Sequence, residues 1–251
     1  MRIAIELVPR NKAVFLEELL YIKVHYGQVE MINIPELARF ELHSWQAASL
    51  AVPHFPSIVP HLLACDLPLQ SQPPWQEFLR QGQVQEVLLI AGDGPANPTP
   101  NRKFYNTTTL EALSKIKQTL PDLKIYAGID QYRHQDPAIE FAYAQEKLDA
   151  GTIGFFTQPF FDLKNLHTFL EKIPCSLDNL FVGISPVITK NSQKYWEEKN
   201  KVVFPADFEP TIAWNKKLAR AIQKLASDLN FNLYFMPIAI DLKKYLEGLF
   251  L

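Results

Sequence analysis

The stretch from Leu148 to Asp162, LDAGTIGFFTQPFFD, constrains the fold most. A helical tail stops at Gly151, and a short apolar run follows from Ile153 to Phe156. Alternating apolar and polar residues would suit a half-solvated strand. An uninterrupted apolar run suits a strand covered on both faces, as in a parallel sheet. The run ends abruptly in Thr157-Gln158-Pro159, so polar groups stand at its carboxyl end, where parallel α/β folds place their ligands. Phe155, Phe156, Phe160 and Phe161 read as core rather than as a stacking platform.

The same pattern recurs along the chain. Strands are predicted near Arg2–Leu7, Val29–Ile34, Ser57–Ala64, Glu86–Ala91, Lys124–Gly128, Ile153–Thr157, Leu180–Ser185 and Phe231–Met236. Helical stretches lie between and after them, at Lys12–His25, Trp45–Leu50, Pro74–Gln81, Thr108–Leu120, Pro137–Ala150, Leu163–Ile173, Gln193–Glu198, Thr211–Leu229 and Asp241–Leu249. The punctuation supports this reading: Asp136-Pro137 has the form of an N-cap with proline in the first turn, and Gly151 closes that helix. Eight βα units in 251 residues predict a single-domain (β/α)8 TIM barrel over residues 1–251, with an open doubly wound sheet as the alternative. The long loops Asp66–Pro74 and Gly92–Thr107 follow strands and are of a length that often carries function.

Composition narrows the function. The chain carries 25 basic and 27 acidic residues, which argues against a broad nucleic-acid footprint. No apolar run reaches the roughly 20 residues of a membrane helix. The opening MRIAIELVPRN reads as a strand, and the two cysteines, Cys65 and Cys175, suit reduced thiols in a cytoplasmic protein. No CxxC or HExxH motif occurs and the six histidines are scattered, so no metal is expected. Gly92-Asp93-Gly94 is the only GxG, without a third glycine in dinucleotide-binding spacing. Neither a P-loop nor a GxSxG elbow is present.

If the chain closes into a barrel, chemistry belongs at the carboxyl ends of its strands. Those ends carry Glu6, Asn33, His61, Asp93, Asp130, Thr157-Gln158 and Ser185, whereas strand 8 ends in Met236-Pro237 with no polar group. Glu6 lies between Ile5 and Leu7. At a barrel mouth it would be partly desolvated, its pKa raised, and suited to donate a proton; on a rim it would simply pair with a cation. Asp93 between two glycines either faces a bound ring or serves ordinary turn chemistry. His61 within an apolar strand reads first as a core histidine, and Lys147 near a helix end reads as a complement to the helix dipole.

In order along the chain, the motifs Ile5-Glu6-Leu7-Val8-Pro9, Pro60-His61-Leu62 with Cys65-Asp66, Ala91-Gly92-Asp93 with Pro95, Lys147 with Asp149-Ala150-Gly151, Thr157-Gln158-Pro159-Phe160-Phe161-Asp162 and Gly183-Ile184-Ser185-Pro186-Val187 resemble the barrel of the methylenetetrahydrofolate reductase family. The Thr-Gln block is the most specific of them. The resemblance implies a cytoplasmic flavoprotein oxidoreductase of one-carbon metabolism. It would use FAD, with NAD(P)H as co-substrate, to reduce 5,10-methylenetetrahydrofolate to 5-methyltetrahydrofolate, a step serving methionine biosynthesis.

By that resemblance Glu6 helps protonate the folate and Asp93 faces both flavin and pterin. Gln158 and Asn33 contact the folate, while His61, Gly92, Asp93, Tyr105, Tyr132 and Lys147 hold the cofactor. The chain departs from the family at several points: Ala91 and Glu146 replace arginines, Gly128-Ile129-Asp130-Gln131-Tyr132 displaces a tyrosine and a histidine, and Phe235-Met236-Pro237-Ile238-Ala239 lacks an arginine. Arg102, Lys103, Arg133 or His134 would have to compensate. A flavin-free reductase and a folate-binding accessory subunit without redox activity are the alternatives. A homo-oligomer is also left open.

Overall fold

The computed structural model describes residues 1–92, 103–238 and 240–250. Strands β1 (Ile3–Glu6), β2 (Met31–Ile34), β3 (Ser57–Leu63), β4 (Glu86–Ile90), β5 (Lys124–Ile129), β6 (Gly154–Pro159), β7 (Leu180–Ile184) and β8 (Asn232–Phe235) pair in sequence order, all parallel. β8 pairs with β1, with Ala4 beside Tyr234, so the sheet closes. This is the expected (β/α)8 barrel, and the open sheet is excluded.

Helices α1 (Lys12–His25), α2 (Ser44–Ala51), α3 (Trp75–Arg80), α4 (Thr109–Thr119), α5 (Pro137–Asp149), α6 (Leu163–Leu170), α7 (Lys190–Asn200), α8 (Ile212–Leu229) and α9 (Leu242–Leu246) surround it. Their starts follow from capping residues that satisfy otherwise orphaned backbone N–H groups. Asn11 accepts from Val14 N, Asp136 from Ala138 N with Pro137 following, and Thr108 forms a capping box with Glu111. Helix α7 begins at Lys190, earlier than the expected Gln193, because Thr189 caps it. Among the described residues no helix is long and apolar enough to cross a membrane.

Two apolar layers explain the unbroken strand runs. Outward residues such as Ile5, Ile32, Leu89, Phe155 and Leu233 pack against the helices. Inward residues Ala4, Met31, Val59, Leu88, Tyr126, Phe156, Phe181 and Tyr234 fill the waist. Phe156 stacks on Phe181 at 4.2 Å, with Tyr126 edge-on at 5.2 Å and Tyr234 edge-on to Phe156 at 5.1 Å. The barrel is thus a packed core and not a pore, and a ligand at the carboxyl end must sit above this plug.

β6 runs two residues past the expected Thr157. Its register with β7 shifts between Phe156 and Pro159. Thr157 Oγ1 accepts from Gly183 N at 2.9 Å and donates to Gln158 O at 2.7 Å, replacing ladder bonds where Pro159 has no N–H to offer. The close approach requires glycine at 183, since a Cβ there would meet Thr157 O at 2.7 Å.

Candidate functional site

The two ends of the barrel differ in how their polar groups are satisfied. At the amino end Arg2 grips Glu86 through two hydrogen bonds, of 3.1 and 2.8 Å. It also donates to Tyr126 Oη at 3.2 Å, and Ser57 donates to Glu86. A cleft of about 530 Å³ opens there, lined by Arg2, Ser57, Glu86 and Lys124 among others. Because Arg2, Ser57 and Glu86 already pair with one another, that end reads as a structural clasp.

The carboxyl end is different. The inward alternation that places Ala4, Met31 and Val59 in the waist carries Glu6, Asn33 and His61 one step higher. Glu6 and Asn33 are direct register partners on β1 and β2. Asn33 is fully buried, yet neither its Nδ2 nor its Oδ1 makes a hydrogen bond. His61 Nε2 and Ser185 Oγ are likewise buried without partners. Buried polar groups are normally satisfied, so this cluster of exceptions points to a polar ligand or bound water.

The electrostatics follow from the same burial. Glu6 is half-buried, and desolvation pushes its carboxyl up to about 7, even though a hydrogen bond from Tyr234 Oη to Oε2 favours the charged form. Burial pushes His61 down to about 3, with the Glu36 carboxylate opposing only weakly, so its imidazole is neutral. His61 O accepts from Ser44 Oγ at 2.7 Å, which fixes β3 against α2. The site therefore combines a carboxyl that exchanges its proton near neutrality, a neutral imidazole and an unpaired amide.

Tyr234 was not among the residues expected here. Strand 8, read as ending without a polar group, in fact sends a hydroxyl up to the mouth. The signal was the inward phase of Asn232, Tyr234 and Met236, but a tyrosine in an apolar run reads as core, and its ring is core.

At the end of β6, Thr157 is buried and serves the bulge, while Gln158 is half-buried at the mouth. The Gln158 carbonyl accepts from Gln131 Nε2 at 2.9 Å.

The residues expected to hold a cofactor are placed less openly. Lys147 is buried on the barrel-facing side of α5. Its Nζ donates to Gly128 O at 2.8 Å, lies 3.9 Å from Glu140 Oε1 and sits 4.2 Å from the Tyr143 ring centroid. Burial pushes its amine down to about 8, with Glu140 opposing. Lys147 therefore does not play the solvated, dipole-complementing part expected of it, because the buried Glu140 two turns earlier draws it inward. Arg133 and His134 approach Glu140 Oε2 at 3.8 and 3.7 Å.

Tyr132 donates to Pro159 O at 2.8 Å and packs against an aromatic cluster containing Phe161 and Trp196. Tyr105 is half-buried, and its N–H donates to Cys65 O at 2.7 Å. Gly92 has φ +83°, and a Cβ there would meet Cys65 Sγ at 2.5 Å, so both conformation and space require glycine. Asp93 and Arg102 lie outside the described residues. Among the described residues no group of three or more His, Cys, Asp or Glu side chains could hold a metal ion.

No protein-family model and no curated protein matches this sequence. Solved structures do resemble the fold. An uncharacterised protein from Clostridium thermocellum that binds two copies of 5-methyl-5,6,7,8-tetrahydrofolic acid aligns over 99% of this chain and 92% of its own, with 13% identity and a TM-score of 0.67. Oxaloacetate acetylhydrolase aligns over 95% of this chain and 75% of its own, with 11% identity and a TM-score of 0.58. 2,3-Dimethylmalate lyase, a member of the PEP mutase/isocitrate lyase superfamily, aligns over 95% and 74%, with 9% identity and a TM-score of 0.57. At these identities the likeness establishes the barrel, and function must be argued from the site.

Proposed function

We propose that this protein binds a reduced folate at the carboxyl end of its barrel and reduces 5,10-methylenetetrahydrofolate to 5-methyltetrahydrofolate, with NAD(P)H as hydride donor. The reading rests on one observation: a half-buried carboxyl pushed up to about 7, Glu6, stands in register beside the buried Asn33 amide, with the buried His61 imidazole on the strand beyond, at the same end of the barrel. The folate bound by the Clostridium thermocellum protein adds support for the substrate class.

The chemistry has two parts. Glu6 donates its proton to N10 of the folate, which opens the five-membered ring and leaves a cationic N5 iminium. Hydride from the nicotinamide then adds to the methylene carbon and gives the N5-methyl product and NAD(P)⁺. A group near pH 7 in its titration is poised to give up a proton, and the carboxylate it leaves behind stabilises the iminium charge. Gln158 and Asn33 orient the ring through hydrogen bonds.

FAD is what the family resemblance would insert between the two substrates, and the described residues do not fit it. Lys147 and Tyr132 are tied to the carbonyls of Gly128 and Pro159, and by the family resemblance Ala91 and Glu146 replace the arginines that would meet a diphosphate. Charge-assisted contacts carry much of diphosphate affinity, so their loss disfavours the dinucleotide. Hydride transfer in this proposal is direct.

The test is a visible spectrum of the purified protein, then a titration with 5-methyltetrahydrofolate, then NAD(P)H oxidation with and without the methylene substrate. Colourless protein, folate binding and substrate-dependent oxidation are expected, with Glu6→Gln lowering kcat by roughly 10²–10⁴-fold. Absence of folate binding overturns the proposal. Bound flavin that NADH bleaches would reinstate FAD. Folate binding without turnover would favour the rival reading, a binding protein without redox activity, since binding is the property known for the structural neighbour.

A further inference from the structure

We infer that Tyr234 is the positioning residue of Glu6: its hydroxyl holds Oε2 of the carboxyl, fixes the side chain's orientation, and leaves Oε1 as the oxygen that exchanges a proton with a ligand at the mouth. This rests on the reading of Glu6 as a proton donor and extends it to a residue that no sequence motif marks.

The geometry comes from the closure of the barrel. Register pairs Tyr234 with Ala4, one inward step below Glu6, so the phenol must rise along the inner wall to reach the carboxyl. Its ring is held on the way. Tyr234 is buried in the waist cluster and edge-on to Phe156 at 5.1 Å. A ring clamped by neighbours brings its hydroxyl to one place, and a donor fixed in advance loses little entropy when it bonds. The hydroxyl donates to Glu6 Oε2, and the fully buried Asn33 amide lies close enough to the phenol oxygen to favour its ionised form, outside good hydrogen-bond geometry and against the larger effects of burial and the Glu6 carboxylate. Among the described residues Oε1 of Glu6 has no hydrogen-bond partner.

The surrounding charges leave Tyr234 in control. β2 presents the neutral Asn33, and β3 presents His61, whose imidazole is neutral as well. Among the described residues no charged side chain acts on Glu6, and Tyr234 is the one group set against its desolvation. Tyr234 itself keeps its proton: burial, and then the Glu6 carboxylate, hold its hydroxyl well above the ordinary tyrosine range. The pair therefore shares one exchangeable proton, and that proton belongs to Glu6. A hydrogen bond to the ionised form lowers a carboxyl's pKa, so Tyr234 brings Glu6 down into the neutral range from a still higher value.

The experiment is a pH titration of protein labelled with ¹³C at the glutamate side-chain carboxyls, without folate, in wild type and Tyr234→Phe. Phenylalanine keeps the ring and removes only the hydroxyl. The Glu6 midpoint is expected to rise by about one unit in the variant. Where turnover is measured, the basic limb of the kcat profile should move with it, while the Kd for 5-methyltetrahydrofolate stays within about threefold.

An unchanged Glu6 midpoint in folded Tyr234→Phe overturns the inference, whatever the outcome of the folate assays, because the titration needs no substrate. Conversely, a shifted midpoint in a protein that binds no folate sustains the pairing and removes only the reductase reading. Should Tyr234→Phe not fold, Glu6→Gln carries the test from the other side. The ¹³Cζ resonance of Tyr234 should track the Glu6 titration in wild type and stand still over the same range in Glu6→Gln. Indifference of that resonance to pH in wild type overturns the pairing.

Discussion

Replacing Glu6 by glutamine should make the protein more stable, and only above a definite pH. The Glu6 carboxyl rises from 4.5 to about 7 on folding, chiefly by desolvation. At about 1.4 kcal/mol per unit, that is about 3 kcal/mol. Below pH 4.5 the group is protonated in both the folded and unfolded states and its favourable contribution is complete. As pH rises the unfolded chain ionises first, and the contribution is lost through pH 7. At pH 8.5 the folded protein therefore holds an ionised, partly desolvated carboxylate. Glutamine keeps an oxygen for the Tyr234 hydroxyl and carries no charge, so it escapes this loss.

For a domain of this size about 1 kcal/mol moves Tm by roughly 2–4 °C. The Tm of Glu6→Gln should thus exceed that of wild type by roughly 6–12 °C at pH 8.5 and match it within a degree or two near pH 4.5. Thermal unfolding followed by circular dichroism across pH 4.5–9 at constant salt measures the difference. An offset independent of pH, or one that grows toward acid, would refute the reasoning. A variant that is more stable and less active at the same pH is the expected mark of a strained functional group.

Other perturbations test neighbouring claims. His61 is neutral in the fold, with its pKa pushed from 6.5 down to about 3, so its contribution is full above pH 6.5 and declines as pH falls toward 3. The stability of wild type relative to His61→Gln, from urea unfolding, should be about 3 kcal/mol smaller at pH 4.5 than at pH 7. Lys147→Met leaves the buried Glu140 with the Asp130 N–H on Oε1 and, as cationic partners, only the distant Arg133 and His134, and should cost about 3 kcal/mol in urea unfolding, part of it regained by adding Glu140→Gln. Gly92→Ala combines a positive φ with a Cβ 2.5 Å from Cys65 Sγ and should cost about 1–3 kcal/mol, read as a lowered Tm.

The barrel was legible because a strand covered on both faces has nowhere to put a polar residue until it reaches the mouth. The apolar runs at 58–60, 87–91 and 153–156 carry that message, and the capping residues Asn11, Thr108 and Asp136 mark where the intervening helices begin. Glu6 could be placed at a strand end, since the alternation around Ile5 and Leu7 sets its phase. What lay beyond reach was pairing across the barrel. Tyr234 looks like one more core aromatic until β8 is seen to lie beside β1. Lys147 looks like a solvated helix-end cation until Glu140, seven residues earlier on the same face, is seen to draw it inward. The orphaned amide of Asn33 is a property of what surrounds it, and no one-dimensional pattern reports that.

Glu6 and Tyr234 lie 228 positions apart, on the first and last strands. A ribosome delivers the carboxylate at the start of synthesis and its phenol partner near the finish. Until the seam between those strands zips, Glu6 faces water and behaves as an ordinary acid. Nascent chains, and products truncated before the eighth strand, therefore lack the tuned proton altogether. The chemistry is born in one event, when the ring shuts.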